Sequence, residues 1–124
     1  MKMYKNLIGV LFVMAIMLIS CDKDEESSNV DAILGTWIST DKSDTLDFVD
    51  KTNFYKSNIE YRHDQFDYIL EKDSIEIGYS GIRMVLVQAT SHKYSLNGNN
   101  LTIDFSNKNC YGFDLKVMNY SRKQ

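Results

Sequence analysis

Tyr68-Ile-Leu-Glu-Lys-Asp-Ser-Ile-Glu-Ile77 and Tyr94-Ser-Leu-Asn-Gly-Asn-Asn-Leu-Thr-Ile103, two stretches 26 residues apart, share one layout. Each opens on Tyr-x-Leu, passes through a four-residue turn rich in Asp, Asn, Ser or Gly, and closes on an aliphatic pair two positions apart. Alternation with a period of two puts Tyr68, Leu70, Ile75 and Ile77 on one face of the first stretch. It puts Tyr94, Leu96, Leu101, Ile103 and Phe105 on one face of the second. Both read as β-hairpins, with Gly98 and the asparagines around it supplying the positive φ that tight hairpin turns require.

The same period extends in both directions. From Ile33 onward no stretch repeats apolar residues at three and four over several turns, so the class expected is all-β. Candidate strands are Gly35 to Thr40, Thr45 to Asp50, Asn53 to Ser57, Gln65 to Glu71, Ser74 to Tyr79, Ile82 to Ala89, Lys93 to Leu96, Leu101 to Ser106 and Cys110 to Met118. In the last of these Tyr111, Phe113, Leu115 and Val117 are expected inside, and Gly112, Asp114 and Lys116 outside. A chain of 124 residues, 44% hydrophobic and 25% charged, holds one domain rather than two, and eight or nine short antiparallel strands close into a barrel or stack as a sandwich. Closure removes exposed edges, which matters in a chain with no proline to blunt an edge strand, although lysines and bulges can do the same work.

Leu34-Gly35-Thr36-Trp37 opens this part, and Gly-x-Trp on the first strand resembles the lipocalin hallmark. Together with Leu46-Asp-Phe48 and the Tyr-x-Leu hairpins, it makes Ile33 to Met118 similar to the short lipocalin-like domains of Bacteroidetes lipoproteins. The resemblance implies that Trp37 closes the narrow end of the barrel and that an arginine packs over it, a part for which only Arg122 sits late enough. Between barrel and sandwich, the resemblance implies a small antiparallel up-and-down β-barrel of about eight strands, shallower than in true lipocalins because the chain is shorter.

The N-terminus reads as an address. Lys2 and Lys5 precede an uncharged run, Leu7 to Ile19, which at thirteen residues is short of the ~20 a transmembrane helix needs and has no stop-transfer flank. Leu18-Ile19-Ser20-Cys21 resembles the bacterial lipobox, which implies cleavage before Cys21 and acylation of that cysteine. Each buried CH₂ of such chains contributes ~0.8 kcal/mol, so two or three chains hold a protein stably on a bilayer. The expected division is a signal peptide over residues 1–20, a lipidated acidic tether over 21–32 and a lipocalin-like domain over 33–124. Removing Met1 to Ser20 leaves twelve basic against seventeen acidic residues, a formal charge of −5, which offers no general attraction to nucleic acid. Asp22-Lys-Asp-Glu-Glu26 reads as a solvated spacer, and it also resembles the lysine-plus-acidic signal that sends Bacteroidetes lipoproteins to the cell surface. The expected location is the outer membrane, facing the cell surface or, without that signal, the periplasm.

Catalytic chemistry finds few candidates. His63 lies in a polar loop and His92 in Thr90-Ser-His-Lys93, a turn, so both are expected to be exposed, and Cys110 is expected as an unpaired thiol at a strand edge, able to link two copies. Asp41, Asp44, Asp47 and Asp50 recur every third residue, but a step of three alternates faces on a strand and lacks the glycine and closing glutamate of a calcium loop. Zinc finds no Cys-x-x-Cys or His-x-His pair. Asn100-Leu-Thr102 and Asn119-Tyr-Ser121 match the N-glycosylation acceptor by chance, and Asp44-Thr-Leu46 and Asp73-Ser-Ile75 resemble a loose O-glycosylation acceptor.

The chain is thus expected to be a binding module, neither an enzyme nor the holder of a cofactor. Its first candidate ligand is a small apolar molecule in the barrel interior, held by Trp37, Phe48, Phe54, Tyr68 and Tyr94, with the polar stretch Ser57 to Asp64 as a lid. The alternative is a protein partner at the cell surface, an accessory or inhibitory role played by exposed loops on a filled barrel.

Overall fold

A computed structural model describes residues 29–58 and 63–124; the expected signal peptide, Cys21 and the first part of the tether lie outside the described residues. Eight strands form one closed antiparallel barrel in chain order, each paired with the next and β1 with β8. They are β1 (Gly35–Ser39), β2 (Thr45–Phe48), β3 (Asn53–Ser57), β4 (Asp64–Leu70), β5 (Ser74–Tyr79), β6 (Thr90–Asn97), β7 (Asn100–Asp104) and β8 (Val117–Arg122). This is the all-β chain expected from the alternation, closed in the up-and-down layout that the lipocalin resemblance implies.

Both hairpins form in the expected register. Tyr68 pairs with Ile77 and Leu70 with Ile75, while Tyr94 pairs with Ile103 and Leu96 with Leu101. Gly98 turns the second hairpin at φ +59°, a left-handed conformation that side chains other than glycine adopt at a cost. The inward residues of all eight strands make one core, from Ile33 and Trp37 through Phe48, Phe54, Phe66 and Ile75 to Met118 and Tyr120.

Two expected strands are corrected. Residues 82–89 are not a strand: β5 pairs directly with β6, and the segment between them loops out with Ile82, Met84 and Leu86 at 99%, 102% and 106% exposure. Its alternation of apolar residues satisfies no face, because the closed barrel has no free edge for it to join. Residues 110–116 are not strand either. β8 begins at Val117, and its inward residues are Met118 and Tyr120, so Leu115 and Val117 are exposed rather than buried. The expected parity was off by one, which on a strand turns every side chain to the other face.

An up-and-down barrel sends alternate connections to opposite ends. The short turns at 49–52, 71–73 and 98–99 share the closed end with a helical turn at residues 29–32, while the longer connections 40–44, 80–89 and 105–116 crowd the open end. Helical residues 29–32 thus belong to the folded unit, although the sequence places them in the tether. The closed end follows the lipocalin expectation. The Trp37 indole is fully buried and donates from Nε1 to the Ile33 carbonyl at 2.8 Å, and the Arg122 guanidinium lies 4.3 Å from its ring. Arg122 also donates to the Leu34 carbonyl at 2.7 Å and to that of Ala32, tying the end of β8 to the entering chain.

Candidate functional site

The five aromatic residues expected to line a ligand cavity all belong to the buried core, and three of them, Phe48, Phe54 and Tyr68, pack on one another. Phe48 stacks on Phe54 at 4.8 Å and meets Tyr68 edge-on at 5.0 Å, and Phe54 stacks on Phe66 at 5.2 Å. Trp37, Phe48, Phe54 and Tyr68 each keep no more than 2% of their surface accessible, as side chains of a close-packed interior do. Tyr68 and Tyr94 use their polar tips to tie the closed end: Tyr68 donates to the Asp50 carbonyl at 2.7 Å, and Tyr94 lies 3.3 Å both from the Glu71 carbonyl it donates to and from the Asn29 amide it accepts from. Burial and the nearby Asp50 carboxylate push the Tyr68 hydroxyl up to about 12.

Polar chemistry gathers instead at the open end. Lys56 shares the parity of Phe54 on β3, so its side chain turns inward and the residue is only 7% exposed. Burying an ammonium costs several kcal/mol unless it is paired. Three groups compensate it: the Asp44 carboxylate at 3.5 Å, the Gly112 carbonyl, to which it donates, and the ring of Phe113, whose centroid is 4.7 Å away. Gly112 and Phe113 belong to the connection between β7 and β8, which folds over the mouth. Phe113 stacks on Phe105 at 4.4 Å and meets Phe66 edge-on at 5.5 Å. Gly112 sits at φ +83°, and a Cβ there would lie 3.0 Å from Phe66 Cζ, so glycine serves both the backbone turn and the close approach.

On β8, Tyr120 is 1% exposed and its hydroxyl has no hydrogen-bond partner among the described residues. Burial first, then the Asp44 and Asp41 carboxylates and Cys110, push that phenol far above the ordinary tyrosine range. A buried donor left unmade costs ~1–3 kcal/mol. Beside the plug, Val87, Gln88, Thr90, Asn109, Cys110 and Tyr111 line a cleft of about 560 Å³. A second depression of about 240 Å³ lies between residues 42–45 and Ser57–Asn58.

The expectation for His92 is corrected. β6 reaches back to Thr90, and His92 shares the inward parity of Tyr94, so the imidazole is buried, 4.8 Å from the Phe105 ring and 2.7 Å from the Thr90 hydroxyl. Burial holds its pKa below the usual histidine value, assisted by Lys108 and opposed by Asp104. Cys110 is a free thiol, but it is buried under the plug rather than set at a strand edge, and burial pushes it up more than Thr90 and Lys56 bring it down. A raised thiol and a lowered imidazole favour the neutral forms of both, the opposite of an activated thiolate–imidazolium pair. His63 is exposed, as expected, at φ 63° against Tyr55. The lid expected over 57–64 includes residues 59–62, which lie outside the described residues.

The four regularly spaced aspartates go to four different partners. Asp41 accepts from Ser39, Ser43 and the Ser43 backbone, Asp44 pairs with Lys56, Asp47 accepts from Thr36, and Asp50 caps the turn through Thr52 and Asn53. Those bonds hold Asp41 and Asp50 below the ordinary carboxylate range. Sequence reasoning overlooked Lys56 and Tyr120 as site residues. Lys56 was legible from strand parity, one step of two from Phe54; Tyr120 was masked by the parity error in the last strand. The chain matches no protein-family model, no curated protein and no solved structure.

Proposed function

We propose that this is a lipid-anchored binding module, not an enzyme, whose filled barrel is a scaffold that presents its open end to a protein partner. The observation that carries this is the looped-out segment 82–87, where Ile82, Met84 and Leu86 stand in solvent. Large apolar side chains exposed together on a loop mark interaction sites. A small apolar ligand held by Trp37, Phe48, Phe54, Tyr68 and Tyr94 is the less supported of the two readings, because it would have to displace rings already in contact. The proposed anchor, Cys21, precedes the helical turn at the closed end by eight residues, so the chain enters the barrel at the end opposite the proposed partner site. That suits a role at the cell surface or, if the acidic stretch is only a spacer, in the periplasm.

A photo-crosslinking residue in place of Met84, in the full chain expressed in its own cells, is expected to trap one discrete protein adduct that Leu86→Asp abolishes. Absence of any adduct at Met84 and at Ile82 would overturn the reading.

A further inference from the structure

Lys56, Gly112 and Phe113 together describe a bound state. The barrel offers an ammonium and an aromatic slot made by Phe105, Phe66 and Phe54, and the chain fills them with a peptide carbonyl and the phenyl ring of the residue that follows it. We propose that the open end is a recognition slot for an aromatic side chain of a partner polypeptide together with the peptide carbonyl preceding it, and that Gly112-Phe113 occupies this slot in the unbound protein. The inference rests on the protein-partner reading above and names where that partner engages.

Charge decides the class of ligand. Asp44 already pairs with Lys56, so a carboxylate entering the slot would set two anions against one buried cation, whereas a neutral amide carbonyl repeats what Gly112 supplies. Phe113 stacks on Phe105 with 19° between the ring planes, the offset geometry that any phenyl side chain can reproduce. The cleft walled by Val87, Thr90, Cys110 and Tyr111 adjoins the plug and has room for the residues flanking the anchor.

The plug is held in a way that permits exchange. Phe113 N bonds to Cys110 within the same segment, Phe105 N bonds to the Lys116 carbonyl at its root, and Lys116 meets Asp41 in a pair about half exposed at 3.5 Å. Exposed pairs of this kind contribute ~0–1 kcal/mol. An incoming aromatic residue competes with Phe113 and its carbonyl with Gly112, while the Tyr79–Tyr111 ring contact keeps the rest of the segment in place, and the apparent affinity of the intact protein is reduced by the fraction of time the slot stands open.

The test titrates the folded protein and its Phe113→Ala and Phe113→Leu variants with N-acetyl-L-phenylalaninamide and, separately, with toluene, following backbone amide resonances. Phe113→Leu keeps an apolar plug should the alanine variant fail to fold. Removing the plug's ring should tighten binding of the amide by about tenfold or more, with shifts at Lys56 and Gly112, and toluene should bind at least about tenfold more weakly than the amide. Adding Lys56→Met to the Phe113 variant should erase the amide's advantage over toluene. Equal binding of both probes regardless of Lys56 would describe a mere cavity and overturn the slot, as would folded variants that bind neither probe. A partner still trapped at Met84 in cells, with the slot disproved in this way, would retain the protein-partner reading and end this one alone.

Discussion

Asp44→Ala is expected to destabilise the barrel by about 3 kcal/mol in urea unfolding, the lower end of the range for breaking a buried pair, because the carboxylate keeps some contact with water. The cost is not the loss of an attraction. It is the desolvation of the Lys56 ammonium, which alanine leaves with the Gly112 carbonyl and the Phe113 ring as its remaining compensation. The double variant Asp44→Leu/Lys56→Met removes both charges and should return to within about 1 kcal/mol of the parent, since paired apolar replacements of buried ions are often neutral. A single and a double variant of equal stability would mean that the two charges are not energetically coupled.

Trp37→Ala should cost still more, about 3–5 kcal/mol, the usual range for emptying a large aromatic from a packed core. Trp37 is fully buried at the closed end, where its indole holds the Ile33 carbonyl and supports the Arg122 guanidinium. In a double-mutant cycle Trp37 and Arg122 should couple by about 1 kcal/mol, in the range of a desolvated cation–π contact. A coupling near zero would leave Arg122 holding the Leu34 and Ala32 carbonyls alone.

These two residues mark the two ends of what could be read from the chain. The closed end was legible because its signals are local: a Gly-x-Trp opening, hairpin turns with Gly98 at a positive-φ position, and strict alternation through Tyr68–Ile77 and Tyr94–Ile103. The open end was not, and the reasons are physical. Residues 82–89 alternate apolar residues like a strand, but alternation reports a face, and whether an edge is free to accept that face is a property of the whole sheet. In 110–116 the left-handed turn at Gly112 folds Phe113 over the mouth, and the strand that follows starts with the opposite parity. His92 was placed by its polar neighbours, whereas its parity with Tyr94 was the better guide. Lys56 could likewise be placed by parity, but the reason it tolerates burial could not, since Gly112 lies 56 residues away in the chain.

The central claim, that the barrel is a filled scaffold and its function lies at the open end, is tested most directly by a native mass spectrum of the folded protein purified from its own cells. The expected result is the mass of the polypeptide, with the proposed acyl groups on Cys21, and nothing further retained. A reproducible small-molecule adduct, lost on unfolding, would place cargo inside the barrel and contradict the account.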